Sequence, residues 1–131
     1  SFEGNHARFG GAVALNDGGS LRGCRFTGNS AEEQGGALDL VGGTLTECVI
    51  EYNKCHGAGG GVYGSGPALS VNCLVRGNVA TTGGGIHFGG SYSNVHPKFI
   101  HCTVVENQTP CLPSGTIAIC CPGRPASTRA R

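Results

Sequence analysis

Cys24-Arg25-Phe26-Thr27-Gly28-Asn29-Ser30-Ala31-Glu32-Glu33-Gln34-Gly35-Gly36-Ala37-Leu38-Asp39-Leu40 is the stretch on which the reading of this chain turns. Its first half, Cys24-x-Phe26-x-x-Asn29, returns as Cys48-x-Ile50-x-x-Asn53, Cys73-x-Val75-x-x-Asn78 and Cys102-x-Val104-x-x-Asn107. Phe2 and Asn5 keep the same spacing without the cysteine. Its second half, Gly35-Gly36-Ala37-Leu38, returns as Gly10 to Val13, Gly59 to Val62 and Gly83 to Ile86. A third signal is an apolar residue three or four positions before each cysteine: Leu21, Leu45, Leu69 and Phe99. The Cys-to-Cys spacings are 24, 25 and 29 residues. A fixed period of that size marks a solenoid, whose units bury their apolar faces only against one another.

Two solenoids fit this period, and composition separates them. A leucine-rich repeat needs a helical segment and an L-x-x-L-x-L signature, and neither is present. Glycine takes 25 of 131 positions and strong helix formers are scarce between the glycines, which argues against helices. Apolar residues alternate instead with period two, as in Val13 and Leu15, Leu38 and Leu40, Ile86 and Phe88, Cys48 and Ile50. The expectation is an all-β, right-handed parallel β-helix of four to five coils, with three short strands per coil, over residues 1–121. The tail 122–131 has too little apolar content to fold.

Equivalent residues in such a fold stack about 4.8 Å apart. The expected inward columns are Val13/Leu38/Val62/Ile86, Leu15/Leu40/Gly64/Phe88, Leu21/Leu45/Leu69/Phe99 and Phe2/Phe26/Ile50/Val75/Val104. Asn5, Asn29, Asn53, Asn78 and Asn107 form an asparagine ladder at a bend, each amide bonding its neighbours and local backbone. Ala7, Ala31, Cys55, Ala80 and Thr109 follow as a column of small residues. The sequon Asn107-Gln108-Thr109 falls on the ladder and reads as structural.

Cys24, Cys48, Cys73 and Cys102 share one inward column and Cys55 takes an alanine slot, so these five read as small buried apolar residues. A disulfide within the column is sterically open. Cys111, Cys120 and Cys121 fall out of register, and one disulfide among them suits a secreted protein. Zinc has no C-x-x-C to bind, and His101 faces away from Cys102. Net charge is +1, which gives no electrostatic case for nucleic acid. No stretch reaches the roughly 18 apolar residues of a membrane span. The chain opens in the middle of a repeat, which reads as a piece of a longer protein.

The paired F-x-x-N and G-G-A-[ILV] motifs resemble the repeats of chlamydial polymorphic outer membrane proteins. Phe2 to Asn5, Phe26 to Asn29, Gly10 to Val13 and Gly35 to Leu38 carry the strict form, and later copies relax it. The resemblance covers roughly residues 1–107 and implies the passenger of a surface-displayed autotransporter with an adhesive role. The implied location is extracellular or at the cell surface, with a glycan or a host surface protein as partner.

Function has to sit on outward positions. Ala14, Asp39, Tyr63 and His87 form one outward stripe, expected to be solvated. Thr27, Glu51 and Arg76 form another, where Glu51 and Arg76 would make a surface ion pair. Between Ile86 and Phe99 lie five or six extra residues, which place Tyr92, His96 and Lys98 beside Tyr63 and His87 as candidate sugar or partner contacts. No paired outward carboxylates assemble for acid/base or hard-cation chemistry, so no catalytic residue, cofactor or metal is assigned. A polysaccharide-cleaving β-helix is the competing class. Ice binding needs a flat threonine column, and none is present.

Overall fold

The computed structural model describes residues 1–89 and 97–109. Among them every regular element is a β-strand, and all strand pairs are parallel. Sheet A stacks β1 (Phe2–Glu3), β5 (Arg25–Thr27), β9 (Val49–Glu51), β13 (Leu74–Arg76) and β17 (Thr103–Val105). Sheet B stacks β2 (His6–Phe9), β6 (Ser30–Gln34), β10 (Lys54–Ala58) and β14 (Val79–Thr82). Sheet C stacks β3 (Val13–Asn16), β7 (Leu38–Val41), β11 (Val62–Ser65) and β15 (Ile86–Phe88). Sheet D stacks β4 (Ser20–Arg22), β8 (Thr44–Thr46), β12 (Leu69–Val71) and β16 (Lys98–Ile100). The chain visits A, B, C and D in turn, so the molecule is a parallel β-solenoid of about four coils.

Each coil therefore has four strands where the sequence led us to expect three. The additional one is sheet B. Its strands bury one small residue each, Ala31, Cys55 or Ala80, so no period-two alternation of large apolar side chains announces them. Sheet B also absorbs changes in repeat length. Ala7 pairs with Ala31 but Phe9 with Gln34, and Cys55 pairs with Ala80 but Ala58 with Thr82. These one-residue bulges let coils of 24 and 25 residues stack without disturbing the asparagines.

The corners are set by backbone sign. The residue before each ladder asparagine has positive φ: Gly4, Gly28, Tyr52 (58°), Gly77 and Glu106. So does the residue before each column cysteine: Gly23, Glu47, Asn72 and His101. A left-handed residue turns the chain sharply, and non-glycine residues there bear a steric cost of about 1 kcal/mol. At Tyr52 the ring offsets that cost by lying against Gly77, where a Cβ would meet it at 2.6 Å, with the Arg76 guanidinium 5.6 Å from its centroid.

Inside, Phe26, Leu38, Leu40, Leu45, Ile50, Val62, Val75 and Ile86 are fully buried. Phe2 stacks on Phe26 with ring centroids 4.9 Å apart. One inward column differs from expectation. Leu21 and Leu45 stack under Ser70 and Phe99, whereas Leu69 pairs with Thr44 and Lys98 on the outer face. The turn before Cys73 fixes the inward position three residues ahead of the cysteine, so corner geometry overrides the preference of leucine for burial. Ser70 is 1% exposed, and its hydroxyl has no partner among the described residues. Phe88 keeps its place in the column but is 43% exposed, against Phe99 at 5.4 Å.

Asn53 illustrates the amide column. Its Oδ1 accepts from Asn29 N at 2.9 Å and Asn29 Nδ2 at 3.0 Å. Its Nδ2 donates to Phe26 O at 3.0 Å and Asn78 Oδ1 at 2.9 Å. Asn78 repeats the pattern with Asn107 and Ile50 O, and Asn5 donates to Asn29 in the coil above it. Every hydrogen-bonding site of the buried Asn53 amide is thus used.

Candidate functional site

Sheet C places Ala14, Asp39, Tyr63 and His87 in register on its outer face. Two of these behave unlike the solvated stripe expected from sequence. Asp39 is only 9% exposed, and its Oδ1 is buried without a hydrogen-bond partner among the described residues. His87 Nδ1 is likewise buried, with no hydrogen-bond partner among the described residues. Loss of hydration raises the Asp39 carboxyl above its usual value and lowers the His87 imidazole below its own. Both groups are biased toward their neutral forms.

Tyr63 lies between them, its ring 5.4 Å from that of His87 at an interplanar angle of 18°. Its hydroxyl rests against Gly89, where a Cβ would come within 1.7 Å of it. Gly89 thus marks where the extra residues of the fourth coil begin and leaves room for the tyrosine. Tyr92 and His96 lie outside the described residues. Lys98 does not join the stripe. It sits exposed on β16 of sheet D, paired with Leu69.

Asp39 and His87 are two coils apart, on the order of 10 Å from two sheet spacings, too far to share a proton. Among the described residues no second carboxylate pairs with Asp39, and no cluster of three or more metal-binding side chains occurs. What the stripe offers on its surface is the stacked pair of the Tyr63 and His87 rings beside a largely buried carboxyl. A polyhydroxylated ligand or a polar partner loop matches that chemistry.

The burial of Asp39 has a measurable consequence. A carboxyl whose folded-state pKa is raised above 3.8 destabilises the fold once ionised, so its contribution is best at acid pH and lost as pH rises through the folded value. Asp39→Asn should therefore raise the urea midpoint at pH 7, and the difference should vanish near pH 3. An equal midpoint at pH 7 would mean that water reaches the Asp39 carboxylate in the folded protein.

Sequence reasoning undervalued a second group. Glu51 is 3% exposed and lies between two arginines, Arg25 of the coil below and Arg76 of the coil above. This is a buried carboxylate bridging three coils in place of the surface pair expected. Arg8–Glu33 and Arg22–Glu47 (2.8 Å) also join the first two coils. Five of the eight carboxylates, Glu32, Glu33, Asp39, Glu47 and Glu51, fall between Arg25 and Lys54, a stretch of one repeat length with no Lys or Arg. The arginines of its neighbours are thereby engaged rather than free to bind phosphate. The signal was legible as a charge imbalance between successive repeats.

The sequon offers no glycosylation site. Asn107 is 0% exposed, and its amide donates to Val75 O at 3.0 Å and accepts from Asn78.

No helix among the described residues is long and apolar enough to cross a membrane. No curated protein and no solved structure matches the chain. Residues 23–39, from the left-handed Gly23 through Cys24, Phe26, Asn29 and the double glycine to Asp39, match one family model. With the parallel β-solenoid in place around it, that segment is similar to the repeat described as Chlamydia polymorphic membrane protein (Chlamydia_PMP) repeat.

Proposed function

We propose that this chain is a non-catalytic segment of a surface-displayed β-solenoid, serving as a stalk and as an adhesive module. The observation that carries the reading is the repeat match at residues 23–39 within coils whose inward columns are committed to stacking. The binding face is the outer stripe of sheet C, where the stacked rings of Tyr63 and His87 lie in register with Asp39. A glycan or a polar loop of a surface protein is the partner chemistry that suits it. The location is extracellular or at the cell surface. Nucleic acid is disfavoured because Arg8, Arg22, Arg25 and Arg76 are engaged by glutamates.

One observation supports a polysaccharide-cleaving alternative. Asp39 is held toward its protonated form, as a general acid would be, although a second carboxylate is needed for glycoside hydrolysis. A glycan array and a cell-adhesion assay should compare the parent with His87→Ala and with deletion of residues 91–96. Binding by the parent and at least tenfold weaker binding by the variants is the expected result. Equal binding by all three would remove this face from the function. Release of reducing ends from an array-positive glycan, lost in Asp39→Asn, would replace the adhesive reading with the enzymatic one.

A further inference from the structure

The four cysteines of the inward column stand one per coil, each at the same corner. Val49 N donates to Cys24 O, Leu74 N to Cys48 O and Thr103 N to Cys73 O, all at 2.9 Å. These bonds hold the four corners in register. Each thiol donates to the carbonyl two residues earlier: Cys24 to Arg22, Cys48 to Thr46, Cys73 to Val71 and Cys102 to Ile100. All four are free thiols, with Cys48 and Cys73 buried and Cys24 and Cys102 half-buried.

A straight row of four sulfurs about 4.8 Å apart spans on the order of 14 Å, so the four cannot converge on one tetrahedral ion with bonds of about 2.3 Å. The same spacing lies inside the Cα window of about 4.4–6.8 Å for a disulfide. The row is wrong for metal and meets the Cα condition for pairing.

We propose that Cys24, Cys48, Cys73 and Cys102 form a thiol–disulfide modification site, which a low-molecular-weight disulfide converts into the coil-to-coil disulfides Cys24–Cys48 and Cys73–Cys102. Entry is at the half-buried ends. The Cys24 thiolate attacks the small disulfide, breaking its S–S bond, and one small thiol leaves with the Cys24 proton. The Cys48 thiolate then attacks the Cys24 sulfur, forming the protein disulfide and expelling the second small thiol with the Cys48 proton. Two protein thiols are oxidised and one small disulfide is reduced to two thiols, so the step balances without another oxidant. Cys48 suits the resolving role, because it stands one coil above Cys24 in the same column and the neighbouring Cys73 holds its thiol below the ordinary value. Consuming Cys48 removes the neighbour that holds the Cys73 thiol above its ordinary value, after which Cys73 resolves an adduct on Cys102. Cys24–Cys48 should therefore form first.

The experiment treats the folded full-length chain with oxidised glutathione, quenches at intervals with an alkylating agent and maps peptides without reduction. Cys24 linked to Cys48, followed by Cys73 linked to Cys102, is the expected result, with a raised denaturation midpoint that falls back on reduction. Cys55 is an internal control, since its column neighbours are Ala31 and Ala80, and it should stay a thiol. Cys24→Ala, a change at a half-buried end, should leave Cys48 alkylatable after unfolding. A stable glutathione adduct on Cys24 of the parent would overturn the proposal. So would loss of Cys55 at the same rate, linkage of the column to Cys111, Cys120 or Cys121, or a Cys48–Cys73 bond with Cys24 untouched.

Discussion

Asn53→Asp is expected to abolish folding at neutral pH, which far-ultraviolet circular dichroism and urea titration would register directly. The substitution changes one NH₂ to oxygen and nothing in shape. That atom now faces Asn78 Oδ1 at 2.9 Å and Phe26 O at 3.0 Å, two acceptors in place of two hydrogen bonds. Each buried polar group left without a partner costs about 1–3 kcal/mol, and the charge of the carboxylate adds its own desolvation cost. The loss approaches the roughly 5–15 kcal/mol available to a typical domain. Burial raises the variant's carboxyl in the folded state. Its folding should therefore recover below about pH 4, the ordinary aspartate range, and fail as pH rises through the folded value. Asn5→Asp is the comparison, because Asn5 is exposed and its side-chain amide bonds only Asn29 among the described residues. It should cost about 1 kcal/mol. Equal midpoints for the two variants would mean that position in the column carries no weight.

The same column explains what could be read from the sequence. An asparagine whose amide must meet its copies above and below has no substitute of similar shape and bonding, so its positions stand out at each repeat. The glycine pairs stand out for a similar reason. Large apolar residues are interchangeable inside the coil, and the sequence was a poorer guide there. Leu69 attracted the inward assignment because it is leucine, yet the left-handed Asn72 beside Cys73 sets the register and turns Ser70 inward. Sheet B went unread because an alanine column has no amphipathic period.

The candidate site was legible as a set of positions and illegible as an environment. Strand alternation is enough to put Asp39, Tyr63 and His87 on one outward stripe. Burial of Asp39 and His87 there depends on what else crosses that face, and strand period contains no information about it. Glu51 is similar. Its alignment with Arg76 follows from the repeat, but its second arginine comes from the diagonal neighbour Arg25, on a different outward column.

Gly60→Ala should be almost as damaging as Asn53→Asp, and for a reason unrelated to backbone freedom. Gly60 has no positive φ, so alanine could adopt its conformation. Its Cβ, however, would lie 2.1 Å from Gly84 O and 2.5 Å from Val79 O. Both atoms are backbone and belong to the next coil, so no side chain can swing aside. Relief requires the third and fourth coils to separate at the B-to-C corner. There Gly60 N donates to Gly83 O at 3.1 Å and Gly61 N to Gly85 O at 3.0 Å. Overpacking a well-packed core costs about 1–3 kcal/mol. Rigid contacts on two carbonyls put this change at the upper end of that range, with inter-coil hydrogen bonds lost besides. Two other glycines separate the causes. Gly28→Ala meets open space but needs φ of +66°, and should cost about 1 kcal/mol through backbone strain alone. Gly64→Ala has neither problem, since its Cβ would touch Pro97 at 3.4 Å in an inward column, and should be close to neutral. Urea midpoints ordered Gly60→Ala, Gly28→Ala, Gly64→Ala from lowest to highest are the expected outcome. Should Gly28→Ala prove the most damaging, turn conformation rather than the distance between coils would be what the double glycine protects.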